Sequence, residues 1–141
     1  MDLAKLKMRS NAFVRDIDVW ISIAVADNEL LIVGLNRGQM LNSRLSTGKP
    51  IKPLYSNLYA KKKGYNEPDL FGKGIFQKEM FLETNESNGT YFIRSSNFVT
   101  PFIEKMYGDD IFGLEQPNKK KVIPSSSTSL FKLWEKNVLQ K

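Results

Sequence analysis

The dipeptide Asn88-Gly89 constrains this chain more than any other pair of residues. Asparagine and glycine tolerate positive φ, and both central positions of a type I′ turn require it. Gln77 to Thr84 precedes the dipeptide, and Thr90-Tyr91-Phe92-Ile93-Arg94-Ser95 follows it. The second flank is β-branched and aromatic, as a returning strand should be. The sequence therefore predicts an antiparallel hairpin with strands over about 77–84 and 90–96.

Outside the hairpin the apolar spacing turns helical. Phe13, Ile17, Trp20 and Ala24 recur at spacings of four, three and four, the stripe of an amphipathic helix. Val19, Ile21, Ile23 and Val25 also alternate as a strand would. The periodic region reaches back to Leu3 or Leu6, and that length favours helix. After the polar break Asp27-Asn28-Glu29, the run Leu30 to Leu35 predicts a short helix. Gly34 and Gly38 weaken anything longer, so an extended passage is expected through Gln39-Met40-Leu41. Tyr55 to Gly64 fits one short helix, with Ser56 or Asn57 as N-cap, lysines in the last turn and Gly64 as C-cap. Asn97 to Met106 is helical, with Phe98, Phe102 and Met106 on one face and Thr100-Pro101 at its start. Leu130, Leu133, Trp134, Asn137 and Val138 form a last stripe, after a linker or helix start at Pro124 to Thr128.

This pattern predicts a single α+β domain over 1–141. A small antiparallel hairpin or sheet is flanked by helices near 12–25, 56–63, 98–107 and 129–139. The N-terminal helical part covers about 1–45, the hairpin-containing core 46–114, a linker or docking arm 115–128 and the C-terminal helix 129–141. The N-terminal region and the Gly48–Pro53 loop are further candidate arms.

Composition narrows the chemistry. There is no cysteine and no histidine. Disulfides, Cys- or His-based zinc sites, the Ser–His–Asp triad and imidazole acid/base steps are thereby excluded. Gly72-Lys73-Gly74 lacks the remaining residues of a P-loop or dinucleotide loop and predicts a turn leading into a strand. Asp109-Asp110 has no second acidic cluster to complete a metal site and predicts a helix-end or loop pair. The two N-x-[ST] triplets at Asn85 and Asn88 report a polar hairpin tip. No catalytic, cofactor-binding or metal-binding residue is assigned, and the expectation is a protein that is not an enzyme.

The net charge of +6, from 21 Lys and Arg against 15 Asp and Glu, favours an acidic partner. Lys61, Lys62 and Lys63 form one cluster and Lys119, Lys120 and Lys121 another, the candidate contacts to DNA or an acidic surface. Nine Phe, five Tyr and two Trp are mostly at core spacings. Phe71, Phe76, Tyr107, Phe112 and Trp134 are the candidates for a subunit interface. The longest apolar run, Val19 to Ala26, is far short of the ~20 residues that span a bilayer. The opening Met1 to Asn11 is too polar for a secretory signal, so the chain is expected to stay in the compartment where it is made, with no membrane contact.

From Thr47 to Leu114 the order is Thr47-Gly48-Lys49-Pro50-Ile51, then Tyr55-Ser56 and Tyr59-Ala60 leading to Lys62-Lys63-Gly64. Asp69-Leu70, Gly72, Gly74 and Phe76 follow, then the hairpin, then a helix ending Tyr107-Gly108-Asp109-Asp110-Ile111-Phe112-Gly113-Leu114. This order resembles small neck, head–tail connector or tail-completion virion proteins of tailed bacteriophages, of the crAss-like type that infects Bacteroidetes. The pair Phe71-Gly72 departs from that family, where Asp-Thr often precedes the glycine. The resemblance implies a virion structural subunit, assembled in the host cytoplasm into a homo-oligomeric ring. Its partners would be copies of itself, the portal and adjacent neck or tail proteins, with DNA in the channel. The alternative from the residues alone is a small basic nucleic-acid-binding protein.

Overall fold

The computed structural model describes residues 1–140. Asp2 caps α1 (Leu3–Arg15), its carboxylate accepting a hydrogen bond from the Ala4 N–H at 3.1 Å. The long N-terminal helix read from the sequence is two helices, because Asp16 leaves helical geometry and α2 (Ile17–Ala26) starts after it. The Phe13 ring lies flat on Trp20 across the break, 5.1 Å between centroids and 6° between planes.

α3 (Glu29–Leu41) corrects a second expectation. Gly34 and Gly38 sit inside one continuous 13-residue helix, and no extended passage crosses Gln39 to Leu41. Glycine costs a helix only about 1 kcal/mol. Burial of Ile32, Val33 and Met40 outweighs that, at about 1.5–3 kcal/mol for each large apolar side chain.

α4 (Asn57–Lys63) matches its prediction at both ends, with Ser56 Oγ accepting from the Tyr59 N–H and Gly64 closing it. The Gly72-Lys73-Gly74 turn leads into a short helix, α5 (Ile75–Lys78), rather than into a strand. Strand β1 (Met80–Asn85) therefore starts three residues later than expected and pairs antiparallel with β2 (Thr90–Ser95), Leu82 opposite Ile93. Helix α6 (Thr100–Tyr107), a 3-10 turn (Asp109–Ile111) and α7 (Gln116–Trp134) follow, the last passing into a π-helical turn (Glu135–Leu139). The result is the predicted α+β fold, helices around one two-stranded sheet.

The hairpin tip differs from a type I′ turn. Four residues, Glu86 to Gly89, separate the strands, and only Gly89 has positive φ, at 67°. Asn85 Oδ1 accepts from the Ser87 N–H and hydroxyl, and Asn88 Oδ1 accepts from those of Thr90. Each N-x-[ST] triplet is thus a closed side-chain turn, and the two in series favour the longer loop. The tip rests on α2, where a Cβ added at Gly89 would meet Asp18 Oδ1 at 3.2 Å.

Of residues 115–128, read as a linker or arm, Glu115 is the N-cap and 116–128 belong to α7. Pro124 removes one hydrogen bond from that helix, and a mid-helix proline costs about 3 kcal/mol. Buried Val122 and Asn118 hold the first half against the core, and Ser129 Oγ accepts from Asn28 Nδ2 at 3.1 Å.

The centre of the core is Ile32, Met40, Ile51, Ile111 and Leu114. Two buried amides on α3 organise it. Asn36 Nδ2 donates to the Ile111 carbonyl at 3.0 Å, and its Oδ1 accepts from the Gly113 N–H at 3.1 Å. Gln39 Nε2 donates to the Gly113 carbonyl at 3.0 Å, and its Oε1 accepts from the Glu115 N–H at 2.9 Å and from Asn118 Nδ2 at 3.1 Å. The 111–115 backbone is thereby paired without any strand beside it. At the outer edge of β1, Glu29 Oε1 accepts from the Leu82 N–H at 3.0 Å.

Candidate docking cleft

The cleft begins with a brace around Asp69. Its carboxylate lies 2.6 Å from Lys63 Nζ and 2.8 Å from the Tyr55 hydroxyl, and it also accepts from the Tyr65 hydroxyl. The Phe71 N–H adds a bond at 3.1 Å. The Tyr55 oxygen in turn accepts from the N–H groups of Asp69 and Leu70, while Gln77 Nε2 donates to the Asp69 carbonyl at 2.8 Å. Lys63 Nζ also lies over the rings of Tyr65, Tyr55 and Tyr59, at 5.2 to 6.0 Å.

The electrostatics follow from this crowding. Burial alone would push the Asp69 carboxyl up, but donation from Lys63, Tyr65, Phe71 and Tyr55 outweighs it and holds the group at about 2. Burial and the neighbouring Asp69 push Tyr55 up to about 12. Burial would lower Lys63, but bonding to Asp69 and Tyr65 raises it above its ordinary value. Near neutral pH these groups keep their protons where they are. The cluster braces α4 against the 65–72 loop.

That brace positions a sharp turn. Leu70 takes φ 55°, and Gly74 takes φ 79° with the Phe71 ring packed where its Cβ would stand, 2.9 Å away. The turn forms one wall of an open cleft of about 630 Å³. α4 and the Pro53–Ser56 segment form a second wall, and α6 the third. Its lining is apolar and aromatic, with Lys73 as the charged member.

α6 is apolar on two sides. Val99, Ile103 and Tyr107 pack on the core. The stripe predicted from sequence, Phe98, Phe102 and Met106, faces outward and is 83, 70 and 61% exposed. Leu54, Tyr59, Phe71 and Ile75 are also exposed on the cleft's walls, and Leu58 is exposed elsewhere on α4. Exposed apolar surface of this kind is what protein interaction sites carry.

The candidates named from sequence divide. Phe71 and Tyr107 line the cleft, Phe71 exposed and Tyr107 half-buried. Phe76 is buried at the cleft's floor and packs at 5.9 Å, with the planes tilted by 44°, on Phe112, which is half-buried against the core. Trp134 is half-buried on α7 beside Phe131, away from the cleft. Lys61 and Lys62 are exposed at the end of α4, whereas Lys63 is consumed by Asp69. Lys119, Lys120 and Lys121 are exposed on α7, on a different element from the first cluster. Three successive residues fan around a helix, so they make no single stripe. Asp109 and Asp110 are exposed in the 3-10 turn, and no group of three or more acidic residues gathers to hold a metal among the described residues.

Sequence reasoning missed Asp69, Tyr55 and Tyr65. The available signal was one aspartate enclosed by Pro68 and Leu70 next to a tyrosine-rich helix. It also missed Asn36 and Gln39, whose spacing places them on the buried face with Ile32 and Met40. Comparison of the chain with protein-family models, curated protein sequences and solved structures finds no match.

Proposed function

We propose that this protein is a bacteriophage virion structural subunit, a neck, head–tail connector or tail-completion component, that works by protein docking and carries out no reaction of its own. The observation that carries the docking reading is the apolar cleft between α4 and α6, with Phe98, Phe102 and Met106 held in solvent. A folded chain keeps such residues out of its own core only at a cost in solubility, and a partner that covers them recovers the burial. The virion assignment adds the resemblance of the Thr47–Leu114 segment to phage neck proteins. The basic balance of the chain suits an acidic portal or neighbouring ring, or DNA in the channel.

The test is co-sedimentation of the purified protein with phage particles and with isolated portal and tail components. The expected result is stoichiometric recovery with the particle, lost on Phe102→Glu. A chain that is absent from particles and ignores every particle component overturns the reading. Binding to duplex DNA with a steep salt dependence, removed by Lys61→Gln with Lys62→Gln, would favour the nucleic-acid alternative.

A further inference from the structure

The hairpin tip joins a reactive dipeptide to a chain of bonds that reaches into the core. When glycine follows asparagine, the glycine nitrogen approaches the asparagine side-chain amide freely, because glycine has no side chain to crowd it. Asn88-Gly89 is such a pair, and Asn88 is exposed. Asn88 Oδ1 accepts from the Thr90 N–H at 3.1 Å and from the Thr90 hydroxyl at 2.6 Å. Donors on that oxygen draw charge from Cγ and ready it for a nucleophile. The nucleophile itself is tied. The Gly89 N–H donates to the Asn85 carbonyl at 2.9 Å, and an amide bonded to a fixed acceptor keeps its proton. The acceptor is fixed in its turn. Ser22 on α2, 2% exposed, donates its hydroxyl to the same Asn85 carbonyl at 3.2 Å.

We infer that Asn88 is a site of spontaneous deamidation, held shut by the bonds that run from Ser22 through the Asn85 carbonyl to the Gly89 nitrogen, and released when the tip lifts off α2. In the released tip the Gly89 nitrogen gives up its proton and attacks Asn88 Cγ. The new C–N bond closes a succinimide ring, and the side-chain nitrogen leaves as ammonia with that proton. Water then opens either carbonyl of the ring, leaving aspartate or isoaspartate at 88. Nothing is oxidised or reduced, and water is the only co-reactant.

The product does not fit where Asn88 stood. It is anionic, and isoaspartate lengthens the backbone by a carbon atom. Both changes fall where the loop rests on α2, since a Cβ added at Gly89 would meet Asp18 Oδ1 at 3.2 Å and Ile21 at 3.5 Å. Like charges and the longer chain oppose reseating, so an opening that ends in reaction is recorded in the covalent structure. Asn85 supplies an internal comparison. It is also exposed, and its Oδ1 accepts from the Ser87 N–H at 3.0 Å and hydroxyl at 2.6 Å. Glu86 follows it, and that side chain crowds the attacking nitrogen.

The experiment follows both asparagines by peptide mapping with mass spectrometry, and isoaspartate by methyltransferase labelling, in the full chain at mildly alkaline pH. Asn88 is expected to convert at least about tenfold more slowly in the native chain than in urea, with Asn85 lagging behind Asn88 in urea. Ser22→Ala with an unchanged circular dichroism spectrum is expected to speed native conversion about fivefold and to leave the rate in urea as it was. Gly74→Ala, which strains a turn at the opposite end of β1, is expected to leave the native rate unchanged. Native conversion as fast as in urea overturns the hold, and an Asn88 that stays an amide in urea overturns the site. A folded Ser22→Ala that converts at the wild-type rate overturns the part given to Ser22, as does an equal rise in Gly74→Ala. Hydrogen exchange at the Gly89 amide of the wild type reads the hold without any variant. Protection is expected there, and exchange at the unfolded rate overturns the inference.

Discussion

α3 and α6 invert each other. α3 hides an asparagine and a glutamine and satisfies them with the backbone of 111–115. α6 shows two phenylalanines and a methionine to water while packing its other side on the core. Polar groups go inside where they replace a missing strand. On the docking reading, apolar groups go outside where the chain has something to offer another surface. The contrast separates residues that specify the fold from residues that the fold does not need.

That separation breaks if the two helices respond alike to substitution. The largest effect is expected at Gln39. Gln39→Leu leaves the Gly113 carbonyl, the Glu115 N–H and Asn118 without a partner, and urea denaturation should show a loss of about 4 kcal/mol. Asp69→Asn comes next, at about 2 kcal/mol, since Lys63 keeps some access to water. The pH dependence sharpens this case. The folded Asp69 carboxyl sits at about 2, below an unfolded value of ~3.9, so its contribution is present above pH ~4 and fades as pH falls toward 2. The stability gap between wild type and Asp69→Asn should therefore narrow between pH 5 and pH 2. Gly74→Ala should cost about 1 kcal/mol, from the positive φ and the Phe71 ring at 2.9 Å. Phe98→Ser on the open face should change thermal stability by less than about 0.5 kcal/mol while raising solubility. A large loss there would place Phe98 in the fold rather than on a docking surface.

Legibility from sequence followed the same division. α4 was readable because its signals are local, a serine cap at one end and Gly64 at the other. The hairpin was readable in type but not in loop length, because Asn85 and Asn88 each bind two residues ahead. α7 was hidden by Pro124 and the serines after it, whose local preference is overruled by the burial of Val122 in the core and by Asn118, bonded to Gln39 79 residues earlier. α3 was cut short on paper by two glycines for the same reason. The stripe Phe98, Phe102 and Met106 was found, but periodicity reports that a face exists and not which way it points. The cleft was invisible because its brace joins Lys63, Tyr55, Tyr65 and Asp69 through geometry that spacing does not encode.

One carboxylate outside the cleft guards the open edge of the hairpin. A two-stranded ribbon normally leaves a flank of unpaired amides that recruits foreign strands and seeds fibres. Here Glu29 occupies the Leu82 amide from the helix side, and its charge stands where an incoming backbone would need an acceptor of its own. Growth by adding strands along β1 is obstructed at that point, so the hairpin's open flank is a poor template for a foreign strand.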